Sequence, residues 1–199
     1  MNVAWGRCLW PLRLQLTVVA AAFVGPTFAA ADRYTIDPAH SIPVFEFSHL
    51  EMTTQSGRFD RVSGQVVLDF AARKGRVSYE IETASLNMGF GTETPNSPGY
   101  RLFEIKKYPK ITFSSNSLIF GDDDNVIAAE GQFTLLGVTK PLKVTVDHFK
   151  CSVNPMNKRA TCAGNITASI KRSDFGMVRF LPAIGDEVKI KVPVEAYQN

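Results

Sequence analysis

Histidine is scarce in these 199 residues: His40, His49 and His148 are the whole supply, and no two have the short spacing of a metal site. Catalytic signatures are missing as well. There is no G-x-S-x-G nucleophile elbow. Asp174-Phe175-Gly176 matches a kinase triplet, but the Gly-rich phosphate loop, strand lysine and catalytic-loop signature that would give it meaning are absent. An excess of one charge is also lacking. The formal net charge is +3, and taking Arg7 and Arg13, which lie in the leader described below, from the 22 basic residues leaves 20 against 19 acidic ones. That balance argues against a nucleic-acid footprint. Neither repeat, linker nor low-complexity stretch divides the chain, so its length suits one domain. With 45% apolar and 21% charged residues it is composed to fold rather than to stay disordered.

The N-terminal residues read as an export signal. Arg7 and Arg13 precede an apolar run from Leu14 to Phe28, and Ala29, Ala30 and Ala31 follow in an A-x-A arrangement. Residues 1–31 are therefore expected to be removed, leaving residues 32–199 as the mature domain in the periplasm. Cys8 precedes the apolar run, whereas a lipidated cysteine would follow it. Export places Cys151 and Cys162 in an oxidising compartment. Ten residues lie between them, including the turn cluster Asn154-Pro155-Met156-Asn157, with their centre at Met156 and Asn157, so a disulfide across a hairpin is expected.

Beyond Asp32 the pattern is one of alternation, the period of strands with one face in a core. Val77, Tyr79 and Ile81 alternate with polar residues; so do Leu142, Val144 and Val146, then Ile166, Ala168 and Ile170, then Val188, Ile190 and Val192. Further strands are expected near 34–37, 43–49, 56–70, 110–120 and 125–136, separated by turn signals at Lys74-Gly75, at Gly121-Asp122-Asp123-Asp124 and at Gly137–Pro141. One short helix is expected near Tyr100–Lys107, between Pro98 and Pro109. About nine strands with almost no helix make an all-β domain, and periodicity leaves sandwich and barrel open.

Several segments in order carry a resemblance over nearly the whole mature chain. They are Tyr34-Thr35-Ile36-Asp37-Pro38-Ala39-His40-Ser41, Gly57-Arg58-Phe59 with Gly64 and Asp69, and Phe103 with Tyr108-Pro109-Lys110-Ile111-Thr112-Phe113. Gly131 to Pro141, Arg172-Ser173-Asp174-Phe175-Gly176-Met177 and Gly185-Asp186-Glu187-Val188 complete the set. The chain resembles the YceI-like family of periplasmic, lipocalin-like polyisoprenoid-binding proteins. The resemblance implies an elongated eight-stranded antiparallel β-barrel, with the short helix near its mouth and an apolar lumen holding a polyisoprenoid or similar long-chain lipid. One stretch departs from the family pattern. Gly89 to Tyr100 replaces a more charged segment that commonly precedes the helix, which implies a remodelled mouth.

On such a barrel the apolar strand phases face the lumen. The expected ligand contacts are Phe45, Phe47, Val77, Tyr79 and Ile81; Ile111, Phe113, Phe133 and Leu135; and Leu142, Val144 and Val146, whose phase His148 continues. Ile166, Ile170, Phe175, Met177 and Ile190 complete the set. Arg101, Lys106 and Lys107, near the helix, are candidates for a phosphate or carboxylate head group. Asp37, His40 and Ser41 bring the residue types of a hydrolase together, but adjacency in sequence is not geometry. Asp37 and His40 are expected to tie the first strand through backbone hydrogen bonds. The reading is a non-enzymatic carrier, store or sequestering protein without cofactor or metal. An accessory of membrane electron transfer that binds an isoprenoid quinone shares the fold, and a hydrolase is a remote alternative. The expected partner is the lipid, not nucleic acid; a transient contact with an inner-membrane protein and a homodimer stay open.

Overall fold

The computed structural model describes residue 1, residues 31–89 and residues 97–199. Nearly all of the expected leader, and the middle of the Gly89–Tyr100 segment, lie outside the described residues. The strands are β1 (Asp32–Ile36), β2 (Val44–His49), β3 (Thr53–Phe59), β4 (Val62–Asp69), β5 (Lys74–Glu82), β6 (Leu86–Asn87), β7 (Lys110–Phe120), β8 (Val126–Leu135), β9 (Val138–Val153), β10 (Ala160–Lys171) and β11 (Ile184–Gln198). Among the described residues one α-helix, α1, spans Pro98–Leu102.

Eight of these strands close on themselves in the order β1-β4-β5-β7-β8-β9-β10-β11, with β11 returning to β1. Every pairing is antiparallel. Closure removes the edges of the eight-stranded ring, which is wide enough inside for side chains plus one small ligand, while the extension through β2 and β3 ends at β6. β2, β3 and β6 prolong three staves of the ring. β2 carries on from β1 and pairs with the other half of β11, β3 returns beside it, and β6 pairs with β3. The single strand expected over 56–70 is thus two, because Asp60 and Arg61 leave the ladder to bond Ser85 through their backbone N–H groups.

The break between β1 and β2 is closed by side chains. Ser41 Oγ accepts the Glu195 N–H at 3.0 Å and donates to the Glu195 carbonyl, standing in for a missing ladder partner, and Ser41 is fully buried. Asp37 takes the Ala39 N–H on one oxygen and meets His40 Nδ1 at 2.6 Å on the other. Asp37 makes a backbone bond as expected, but the tie across the break is made by Ser41, and His40 bonds the Asp37 carboxylate rather than the backbone.

Two bulges reset the inward phase. In β9, Asp147 faces Asn165 and Lys150 faces Ala163, so His148 and Phe149 together oppose Gly164. His148 takes φ of 51° and Phe149 turns inward in its place. The expectation that His148 continues the lumen phase is therefore corrected: its side chain is 84% exposed. Gly164 permits the close approach, since a Cβ there would sit 3.1 Å from Val146 and 3.6 Å from the Phe149 Cα. In β7 the register shifts between Ser114 and Ser117, where the buried Ser115 hydroxyl donates to the Glu130 carbonyl and accepts the Ser117 N–H. Beyond it Leu118 faces inward.

The core runs the length of the barrel in two clusters. One gathers Phe59, Ile81, Ile111, Phe133 and Met177 around partly buried aromatics; the other gathers Tyr34, Ile36, Leu68, Val126 and Val146. Tyr79 packs against both. By topology, one end of the barrel carries the turns at 70–73, 121–125 and 154–159. The opposite end carries the β2–β3 hairpin tip, α1 and residues 172–183. Across the hairpin at the first end, Cys151 and Cys162 are paired directly and form the expected disulfide.

Candidate ligand cavity

Between the two clusters lies a cavity of about 680 Å³ bounded by strands from the whole circumference. Its wall includes Phe45, Phe47, Val77, Tyr79, Ile81, Ile111 and Phe113. It continues through Phe133, Leu135, Leu142, Val144, Val146, Ile166, Ile170, Met177 and Ile190. The deeper end adds residues that the strand phases had not singled out, among them Leu68, Leu118, Val126 and Phe149.

Two expected contacts fall elsewhere. His148 is outside, for the reason given above. Phe175 is buried but is not part of the cavity wall; it stands edge-on to Phe133, with ring centroids 5.5 Å apart, and so backs the wall from a second layer. It belongs to a 3-10 turn at Arg172–Phe175 that ends at Gly176 with φ of 81°. Asp174-Phe175-Gly176 is this turn.

The helix is shorter and earlier than expected. Pro98 opens it rather than bounding it, because proline suits the first helical turn, and Ser97 Oγ accepts the Tyr100 N–H. Glu104, at φ of 44°, follows its end. Its inner side presents Pro98, Gly99 and Leu102 to the cavity. Phe103 follows, edge-on to Phe59 at 5.2 Å and to Phe45 at 5.9 Å. Arg101, Lys106 and Lys107 are on the outer side and do not reach the cavity wall. Lys107 lies 4.8 Å from the Tyr108 ring centroid and 3.7 Å from Glu104.

Among the described residues, four polar side chains interrupt the apolar wall: His49, Gln55, Tyr79 and Arg172. Tyr79 donates to the Ser41 carbonyl at 2.6 Å, and burial pushes its phenol well above the ordinary value, so it acts as a neutral donor. Arg172 is 2% exposed. Its Nε donates to the Gly185 carbonyl, Nη1 to Met177 and Arg179, and Nη2 to Ile184. Burial draws its pKa down, opposed by Asp186. Asp186 itself is engaged by the Ser173 N–H and hydroxyl. Arg172 thus brings a buried cation to the cavity with backbone carbonyls as its direct partners. The inward phase of Ile166, Ala168 and Ile170 extends to it, which is the signal that could have picked it out.

Among the described residues, Asp37, His40 and Glu195 have ligating atoms within 4.8 Å of one another, but Asp37 and His40 already bond each other. Ser41 makes its bonds to Glu195, not to His40.

A model of the YceI-like domain matches residues 34–196. The chain belongs to the YceI-like family. Curated relatives include a UPF0312 protein of Shewanella oneidensis, 30% identical, and one of Shewanella baltica, 29% identical. Each alignment covers 94% of this chain and 98% of the relative. Among solved structures, Burkholderia cenocepacia BcnA superposes with a TM-score of 0.64 at 24% identity, covering 80% of this chain and 98% of its own. A polyisoprenoid binding domain from Saccharophagus degradans, implicated in plant cell wall breakdown, gives 0.58 at 18% identity, with coverages of 83% and 98%. The Campylobacter jejuni YCEI protein gives 0.59 at 22%, with coverages of 76% and 90%. At these identities the likeness is one of fold. This YceI-like barrel shares its closed antiparallel architecture with them, and its cavity chemistry is read from its own side chains.

Proposed function

We propose that this YceI-like protein is a non-enzymatic binding protein that holds a polyisoprenoid or similar long-chain lipid in its barrel. It would serve as a carrier, store or sequestering protein after export to the periplasm and removal of residues 1–31. The observation that carries this reading is the apolar cavity itself, about 680 Å³ and continuous between both core clusters. The description of the Saccharophagus degradans domain as polyisoprenoid binding agrees with it. A lipid tail placed there leaves water for a wall of Phe, Ile, Leu and Val. Each buried methylene contributes about 0.8 kcal/mol gross, so a five-carbon isoprene unit contributes roughly 4 kcal/mol. Chain ordering and lost translational freedom offset much of that sum. Arg172, His49 and Gln55 place the polar part of the wall toward the helix-bearing end, which suits a head group there and a tail running toward Leu118 and Phe149. The engagement of Ser41 and His40 in the strand break supports a non-catalytic reading.

Native mass spectrometry of protein taken from its own periplasm, followed by extraction and identification of the bound species, tests the proposal. Lipid is expected to survive purification, and a quinone would reveal itself by absorbance that responds to reductant. Val144 and Ala129 are cross-strand partners on the cavity wall. Val144→Trp should therefore obstruct the lumen and empty it. A folded variant that keeps the full wild-type complement of lipid would show that the ligand lies elsewhere.

A further inference from the structure

Exposed apolar residues concentrate on two loops at the helix-bearing end. Leu50 and Met52, on the β2–β3 hairpin tip, are 53% and 82% exposed; Val178, Phe180 and Leu181, on the segment before β11, are 58%, 45% and 37% exposed. The loops are joined. The Leu50 N–H donates to the Ala183 carbonyl at 2.6 Å, and Ile184 pairs with His49. They also adjoin the cavity, because exposed His49 and half-buried Ile184 line it.

Two features argue that the patch is built for a partner. Leu50 and Phe180 have φ of 55° and 65°, left-handed positions that glycine or asparagine would occupy at less cost. About half of each side chain stays exposed, so the fold recovers only part of the burial that large apolar residues could give there. Charge is the second feature. The loops at this end carry Arg101, Lys106, Lys107 and Arg179 at the surface against Glu51, Glu104 and Asp174, so basic side chains flank the apolar tips; at the opposite end Asp122, Asp123 and Asp124 are balanced by Arg73, Lys158 and Arg159. Apolar loop tips flanked by basic side chains have the chemistry of a surface that enters the boundary between head groups and acyl chains of an anionic bilayer.

We propose that this end is a membrane-docking surface, on which Leu50, Met52, Val178, Phe180 and Leu181 insert into an anionic phospholipid bilayer and set the cavity mouth against the lipid. The purpose of docking rests on the lipid-holding reading, since an apolar tail entering the barrel there avoids crossing water. Docking itself can be measured without reference to cavity occupancy.

The test is co-sedimentation of the mature protein with vesicles of phosphatidylethanolamine and phosphatidylglycerol, compared with phosphatidylcholine alone. The variants are Met52→Asp with Val178→Asp, and the control Met156→Asp on the opposite end, where Met156 and Val153 are also exposed. The wild type should bind the anionic vesicles more tightly. The double variant should lose about tenfold or more in affinity, and the control should bind as the wild type does. Should the double variant fail to fold, single Met52→Cys and Met156→Cys proteins carrying an environment-sensitive fluorophore replace it, with a blue shift on vesicles expected only at position 52. Absence of vesicle binding by the wild type, or equal loss in the control, would overturn the proposal. So would sedimentation velocity showing a dimer that the double variant dissolves, which would assign the patch to a second copy. A double variant that keeps its bound lipid while losing vesicles supports docking and leaves the cavity reading intact. A wild type that docks with no lipid inside supports docking and removes the cargo.

Discussion

Replacing Arg172 by methionine is expected to destabilise the barrel strongly. The methionine retains an apolar stem but leaves the carbonyls of Met177, Arg179, Ile184 and Gly185 without their donor. A buried acceptor stripped of its partner costs about 1–3 kcal/mol. Some of the four will find water near the mouth, so a net loss of about 4 kcal/mol is expected. For a domain of this size that corresponds to a fall in Tm of roughly 8–16 °C. Arg172→Lys keeps the charge but cannot span four carbonyls with one ammonium, and should lie between wild type and the methionine variant. Thermal unfolding followed by circular dichroism, with chemical denaturation for ΔG, makes the comparison. A loss below about 1 kcal/mol in the methionine variant would refute the claim that this guanidinium organises the segment from Met177 to Gly185.

Two further outcomes follow from single interactions. Joint replacement of Cys151 and Cys162 by serine should cost about 3 kcal/mol through the loop-entropy model of disulfides, and a change under about 1 kcal/mol in urea unfolding would show that the β9–β10 hairpin needs no covalent tie. For Asp37, burial would raise the carboxyl pKa, but the bonds from His40, Ala39 and Tyr197 outweigh it and hold it below the ordinary value. The bond to Asp37, then its charge, raises His40. The Asp37 contribution is present above its unfolded pKa and fades as pH falls through its lower folded value. The His40 contribution is full below its unfolded pKa and fades as pH rises through its higher folded value. The pair therefore stabilises most between about pH 4 and 6.5. In an NMR titration, Asp37→Asn should bring the His40 midpoint down; an unmoved midpoint would deny the pairing.

Local periodicity was enough to assign the inner faces of β5 and most of β9 and β10. An alternating apolar run has only one face that can be buried, so Val77, Tyr79 and Ile81, or Leu142, Val144 and Val146, are placed by their own order. The same phase, carried one step past Ile170, also holds for Arg172. The hairpin geometry of Cys151 and Cys162 was legible because a short turn fixes which residues face each other. Other features depend on partners far away in the chain. His148 is exposed and Phe149 inward because the β9 bulge forms opposite Gly164 on the neighbouring strand; the Ser115 bulge turns Leu118 inward through a bond to Glu130. Asp60 and Arg61 break a run of strand because Ser85 takes their N–H groups. Closure of β1 onto β11 joins the two ends of the domain, and only that long-range pairing turns a set of amphipathic strands into a barrel with an inside. Strand pattern is a local consequence of which side chains avoid water. Register, bulges and closure are set by hydrogen-bond partners that only the folded chain brings together.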